Sequence, residues 1–323
     1  MDERAGHPEN SSGNPEGNRL TDSIVLVGGF LAAAVRVATP LLFAATGETI
    51  TERSGVINLG IEGIMLAGAL AAAIGATTWG PWGGLGMAAL AGMLAAGLFA
   101  LLAIGARADQ VITGTAVTLA MVGLTGTIYR QAYGAQGVGL GIPTFSDLSV
   151  PGLYRIPVLG PGFFQQPVPT YLVFAALPLV WWVLFRTRVG LALRATGEAA
   201  AMARATGVRT TLIRSAATVI GGAFVGLGGA TLVLAQVGTF AERMTAGRGF
   251  LAIAIVVLGR WHPGGVALAA LLFGLATALQ FLFQALGVHA PYQLFLMFPY
   301  LLTLLALAGA VGRVRAPGDL GRS

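Results

Sequence analysis

The sequence predicts an all-α polytopic membrane protein, and three observations carry that prediction. Only 10% of its 323 residues are Asp, Glu, Lys or Arg, against roughly 25% in a soluble domain. Apolar residues make up 55%, and the mean hydropathy is +0.78. The apolar residues form continuous runs of about membrane-spanning length, not the alternation of a β-barrel. A chain so poor in charge cannot clothe a soluble surface, which excludes a soluble enzyme, a nucleic-acid-binding domain and a disordered protein.

Residues 1–22 are rich in Gly, Asn, Ser, Pro and acids, and read as a disordered polar tail. Residues 23–312 form the transmembrane domain and 313–323 a second tail. The apolar runs fall at 24–46, 56–78, 83–105, 112–133, 169–186, 213–235, 246–261, 264–286 and 290–311, giving about nine membrane-crossing or re-entrant helices. The seventh is short and reads as a half-helix, and the second begins in polar residues. Trp79 and Trp82 flank one turn, as interfacial aromatics do. The loop 134–168, with its neighbour Pro169, holds Pro143, Pro151, Pro157, Pro161, Pro167 and Pro169. It cannot cross lipid as a helix and reads as a cap over the outer mouth. Gly numbers 48, about twice its ordinary share of roughly 7%. Runs such as 86–97 and 221–230 place small residues at i and i+4, for close helix approach.

All 19 basic residues are Arg, and their placement sets the orientation. The segment Arg186–Arg214 carries six Arg and one acid, Glu198, so it faces the cytoplasm. Counting outward places Arg53, Arg107, Arg260, Arg313, Arg315 and Arg322 on the same side, and the N-terminus outside. Cysteine is absent, which removes disulfides and thiolate chemistry. Without Lys there is no G-x-x-x-x-G-K-[ST] phosphate loop. His7, His262 and His289 form no metal-ligand pattern, and no nucleophile elbow is present, so the chain is not expected to be an enzyme or to hold a cofactor.

Polar residues at membrane depth are the candidates for a path or gate. The stretch TGETITERSGVINLGIEG brings together Glu48, Glu52, Arg53, Asn58 and Glu62, with Glu48/Glu52 and Asn58/Glu62 each four apart. A buried charge is expensive, so these groups must face protein, water or one another. They read either as a buried network, with Glu paired to Arg53 or Arg36, or as the lining of a solute path. Gly55, Gly60 and Gly63 favour a broken helix here. Gln236, Glu242, Arg243, Thr245 and Arg248 collect near the outer ends of the sixth and seventh runs, and Gln280 and Gln284 share a face of the eighth. The amides of Gln236 and Gln280 suit a hydroxylated solute as well as helix packing.

The inner loop 187–212 contains GLALRATGEAAAMARATGV, in which Gly190 and Gly207 bracket a short Ala-rich helix near 198–206 with Glu198 at its start. So short a helix is marginal alone. It either docks into a partner or rests on lipid headgroups.

Three segments carry a family resemblance. The pattern from Gly190 to Val208 resembles the cytoplasmic coupling loop of permease subunits from ATP-binding-cassette (ABC) importers. ERSGVINLGIEGIMLAGA (52–69) resembles the early-span signature of the branched-chain amino acid, simple sugar and nucleoside permease group, and MTAGRGFLAIAIVVLGRWHPGG (244–265) the late signature of its sugar and nucleoside subset. The likeness runs over about 22–312 and is strongest to the nucleoside-type permeases served by a basic-membrane-protein-type lipoprotein. It departs where many relatives have Asn-Pro and this chain has Ala199 and Ala200.

The resemblance implies a type II-like ABC importer permease bundle in a prokaryotic plasma membrane, passing a nucleoside or simple sugar. It implies a second homologous permease, as a heterodimer, an extracytoplasmic solute-binding lipoprotein, and cytoplasmic ATPase subunits that bind the ATP and Mg. Coupling falls on residues 194–207, with Arg194, Gly197, Glu198, Ala201, Met202 and Gly207 the residues concerned. Glu48, Glu52, Asn58, Glu62, Gln236 and Gln280 are the path or gate candidates. Two alternatives are an ion-gradient-driven secondary transporter, with Glu48, Glu52 or Glu62 as the proton carrier, and a non-transporting membrane scaffold.

Overall fold

The computed structural model describes residues 15–134, 141–285, 297, 301 and 316–322, with side chains from residue 25 onward. Helix α1 (Pro15–Arg53) takes in residues 15–22 of the segment assigned to the polar tail. Along it Thr39, Thr46, Thr49 and Thr51 return their hydroxyl protons to carbonyls four residues back, which satisfies them at membrane depth. The helix stops at Ser54–Gly55, where Gly55 has φ +92°, and α2 starts only at Ile61. The expected break therefore exists, and residues 54–60, which include Ser54 and Asn58, are non-helical.

Helix α2 (Ile61–Ala100) is two limbs. Trp79 (φ −126°) and Gly80 (φ +73°) leave helical geometry, and Pro81 restarts the helix. The limbs 61–78 and 81–100 fold back on each other, with Gly84 so close to the Ala72 carbonyl that a Cβ would lie 2.8 Å from it. The reversal falls between the two runs that the sequence separates. A π-turn (Leu101–Gly105) leads to α3 (Gln110–Tyr133), whose first amides Asp109 caps through Ile112 N at 2.9 Å.

After α3 the chain forms two three-residue strands, β1 (Asp147–Ser149) and β2 (Gln165–Pro167), paired antiparallel around α4 (Leu159–Phe163). This hairpin adds to the all-helical expectation. It packs on α1: Gln166 is buried and donates to the Gly162 carbonyl at 2.9 Å and the Ala32 carbonyl at 3.3 Å. Then follow α5 (Val168–Arg186), α6 (Arg188–Glu198), α7 (Ala200–Ala205), α8 (Thr210–Thr231, continued by a π-turn to Val237), α9 (Arg248–Leu258) and α10 (Pro263–Ala285). Among the described residues six helical stretches are long and apolar enough to cross a membrane, one of them the two-limbed α2. The run 246–261 yields only the 11 residues of α9, about 16 Å of helix against a hydrocarbon core of roughly 30 Å. The run 290–311 lies outside the described residues apart from 297 and 301.

Helix α8 is the centre of the bundle. Of its most apolar window 72% is buried, against 22% for the peripheral α3. Its glycines explain this: Gly226 abuts the Ala88 carbonyl and Gly229 the Met65 carbonyl, with no room for a Cβ at either. Around these contacts Phe43, Phe99, Phe273, Ile61, Ile64 and Met65 are fully buried.

Arg53, Arg107, Arg194, Arg204, Arg214 and Arg260 lie on turns and helix ends that meet at one end of the bundle. Ile57 N donates to Gln110 Oε1, Arg53 Nε to the Trp261 carbonyl, and Arg214 Nη1 to the Arg322 carbonyl, which ties these segments together. The β-hairpin, Gln236 and the pairs Arg36–Asp147 and Arg130–Glu242 mark the opposite end.

Candidate functional site

The polar residues of the early stretch meet a second interruption, the non-helical residues 238–247 before α9. Glu62 stands on the first turn of α2. Its Oε1 accepts from Thr245 Oγ1 (2.6 Å) and Gly247 N (2.8 Å), and its Oε2 from Gly249 N (2.7 Å). The Gly247 and Gly249 amides stand at the start of α9, where no intrahelical carbonyl can reach them, so one carboxylate closes the end of another helix. Arg248 turns back onto the Met244 and Thr245 carbonyls and holds the same turn.

One turn nearer the Arg-rich end, Asn58 N donates to Glu48 Oε1 at 3.0 Å, and Asn58 Oδ1 accepts from Gly60 N at 2.9 Å. Trp261 donates its indole N–H to Glu52 Oε2, while Arg53 Nε donates to the Trp261 carbonyl at 2.8 Å. Glu48, Glu52, Asn58 and Glu62 are all buried. The expected network is present, but its partners differ from those expected. Arg53 lies over the Phe185 ring and Arg36 pairs with Asp147, so neither neutralises a glutamate of this stretch. Asn58, being non-helical, shares no helix face with Glu62; each instead serves a different broken end. The arrangement locks two discontinuous helices to each other.

Gln236 donates to the Arg36 carbonyl at 2.7 Å, and both residues line an open cavity of about 310 Å³ with Gly29, Ala32, Ala33 and Val37. Gln280 is buried on α10. At the same end Arg130 grips Glu242 with two bonds, 2.7 and 2.8 Å, beside a polar cavity of about 260 Å³ that also has Thr125, Thr127 and Arg243 on its wall. The Arg130 hydrogen bonds hold the Glu242 carboxyl below the usual carboxylate range.

The loop 187–212 is an elbow of two helices. Arg194 anchors α6 through the Leu184 carbonyl (3.0 Å) and the Phe185 ring. Gly197 sits against the Arg53 carbonyl at the end of α1, where a Cβ has no space. Glu198 ends α6, and does not begin the short helix as the spacing predicts. Ala199 (φ −157°, ψ 81°) is the joint, and α7 starts at Ala200. The amide of Ala200 is satisfied by Asp319 Oδ2 at 2.6 Å, not by Glu198. Ala200 and Ala203 are buried on the body, while Ala201, Met202 (75% exposed) and Ala205 form the free face. Gly207, at φ +87°, turns the chain out of α7 with its amide on the Arg204 carbonyl. A small-residue helix with one bare methionine is a shape suited to insertion into a partner's groove.

Sequence reasoning missed Asp319 and Trp261. The one signal for Asp319 was the lack of any capping side chain at Ala199. Nothing local marks Trp261 as the donor to Glu52, since 209 residues separate them.

Residues 30–307 match the family model described as "Branched-chain amino acid transport system / permease component". A Haloferax volcanii protein provisionally named as a glucose ABC transporter permease, TsgC13, is 38% identical over 89% of this chain and 93% of its own length. The guanosine ABC transporter permease protein NupQ of Bacillus subtilis is 36% identical over 92% of this chain and 96% of its own. The nucleoside ABC transporter permease protein NupC of Lactococcus lactis is 36% identical over 87% and 91%. TsgB13 and NupP, from the first two organisms, match at 29% and 27%. No solved structure matches the chain.

Proposed function

We infer the function from one premise, that the chain belongs to the branched-chain amino acid transport system / permease component family. It is a multi-pass membrane permease of a prokaryotic ABC transporter and is not itself an ATPase; ATPase and binding-protein partners follow from that class. The solute we propose is a nucleoside, with guanosine-like purine nucleosides first and simple sugars second. The names of NupQ and NupC support that order, and that of TsgC13 keeps sugars in view. Pairs of distinct permeases in single organisms, NupP with NupQ and TsgB13 with TsgC13, support a heterodimer with a second homologous permease.

The reading has nine crossings in a type II-like bundle: α1, the two limbs of α2, α3, α5, α8, the broken segment 246–261, α10 and 290–311. The Arg-rich end is cytoplasmic and the β-hairpin end receives solute from an extracytoplasmic lipoprotein. ATP and Mg stay on the ATPase subunits. The observation that carries the mechanism is the packing of Gly197 onto Arg53 and Gly55, which joins the α6–α7 elbow to the inner end of α1. A push on the Ala201/Met202 face reaches α1 through that contact and then the two helix breaks. Arg194 and Gly207 set the elbow's two ends. In this mechanism Glu48, Glu52, Asn58 and Glu62 are gate hinges, each already engaged by a protein donor, and Gln236, on an open cavity, and the buried Gln280 are the polar candidates toward a path.

The test is uptake of labelled guanosine by cells expressing the chain with its second permease, ATPase and lipoprotein. Unlabelled purine nucleosides are expected to compete at tenfold lower concentration than glucose or ribose. Competition by sugars alone overturns the nucleoside assignment, and uphill uptake by the lone chain overturns the ABC mechanism.

A further inference from the structure

The segment 316–322 is docked on the elbow by bonds to both of its helices. Asp319 reaches both sides of the α6–α7 joint. Its amide donates to the Gly197 carbonyl at 2.8 Å, at the end of α6, and its Oδ2 accepts from Ala200 N at 2.6 Å, at the start of α7. The joint residue, Ala199, has only a methyl and cannot cap α7 itself. Arg322 stands 3.7 Å from the other carboxylate oxygen, Oδ1, which leaves Oδ2 directed at Ala200.

The same segment is tied to the body on its other side. Gly321 N donates to the Gly55 carbonyl at 3.1 Å, just past the end of α1. Arg214 of α8 donates to the Arg322 carbonyl at 2.9 Å and to the Ser54 carbonyl at 3.3 Å. Pro317 is buried, and Leu320 packs against the main apolar core. Gly318 N donates to Glu198 Oε2 at 3.2 Å.

A six-residue helix holds its shape only through what it touches. If the elbow could bend at Ala199, a force on Met202 would rotate α7 and leave α1 where it was. We propose that the 316–322 segment is a splint, with Asp319 the positioning residue that makes α6, α7 and the inner end of α1 move as one block. The proposal rests on the reading of α7 as the coupling helix.

The cysteine-free sequence permits the test. Spin labels at Val189→Cys and Met202→Cys, both exposed, report the distance across the elbow in the purified full-length permease. Asp319→Ala is expected to widen that distribution at least twofold. Asp319→Asn keeps an oxygen toward Ala200 and should stay near the parent. Adding Ala199→Asn to Asp319→Ala supplies a local cap and should restore the narrow distribution.

In the assembled importer Asp319→Ala should lower solute transported per ATP hydrolysed at least fivefold with the ATPase still bound, and Ala199→Asn should restore it. An unchanged width in Asp319→Ala overturns the splint, as does an unchanged ratio of transport to hydrolysis. Should Asp319→Ala not fold, Asp319→Leu, which keeps a side chain of similar shape but offers Ala200 N no acceptor, takes its place with the same expected widening. If the parent chain binds no ATPase, the coupling reading fails, and the spin-label distances still decide whether Asp319 fixes the joint.

Discussion

The carboxylate of Glu62, on the first turn of α2, receives the amide proton of Gly249, on the first turn of α9, at 2.7 Å. The backbones are so close that a Cβ on Gly249 would lie 2.6 Å from the Glu62 Cα. Two broken helices are therefore closed by one side chain and one missing side chain. The acidic residue at membrane depth is a cap, which accounts for its three donors and its burial.

Glu62→Ala leaves the Thr245 hydroxyl and two amides without an acceptor. At about 1–3 kcal/mol for each buried group left unpaired, the loss is on the order of 3 kcal/mol or more. Glu62→Gln keeps one acceptor and should lose about half as much. Thermal unfolding of the purified permease in detergent reads both. Equal melting of Glu62→Ala and the parent contradicts the capping role.

Gly226→Ala drives a methyl into the Ala88 carbonyl at the centre of the bundle. Overpacking of this kind costs about 1–3 kcal/mol. Gly86→Ala, where nothing lies within 4 Å, is the matched control and should be neutral. The yield of monodisperse protein on size exclusion is expected to fall several-fold for the first and not the second.

Met202 projects from the free face of α7, so Met202→Glu changes a surface without touching the core. The variant is expected to fold with parental stability and to lose at least tenfold in ATPase affinity, measured by co-purification across a salt series. Ala201→Arg should act alike. Intact association in both variants places the docking surface elsewhere.

Glu242 titrates below the ordinary carboxylate value because Arg130 bonds to its charged form. A depressed folded pKa means that the pair's contribution is present above the unfolded pKa, about 4.3 for Glu, and is lost as pH falls through the lower folded value. The bridge should thus stay closed through mildly acidic conditions. A carboxyl carbon titration of Glu242 by NMR is expected to show a midpoint under 4.3, moving upward in Arg130→Gln. The same midpoint in both proteins removes Arg130 as the cause. The pair is exposed, so its effect on global stability is small.

Much of the fold was legible because partition into lipid is decided by short continuous stretches. The α2 reversal was readable at Trp79–Pro81, and the break after Arg53 from its glycines. The short α9 showed in the length of its run. The candidate site was legible only as a set of polar residues. Glu48, Glu52, Asn58 and Glu62 look equivalent in sequence, yet Glu62 closes α9, Glu48 holds Asn58, and Glu52 holds Trp261. The start of α7 departs from the spacing for the same reason: Glu198 is the nearest acid along the chain, but the acid that reaches Ala200 is 119 residues away.

The sequence by itself determined that this chain lives in a membrane, where its helices run and which loops are rich in Arg, because transfer energies add residue by residue along a segment. Only the tertiary structure decided who satisfies whom at the broken ends. In a medium without water each exposed amide must find an acceptor inside the protein. Which acceptor it finds depends on how α1, α2, α9 and the 316–322 segment lie against one another, and no local pattern encodes that.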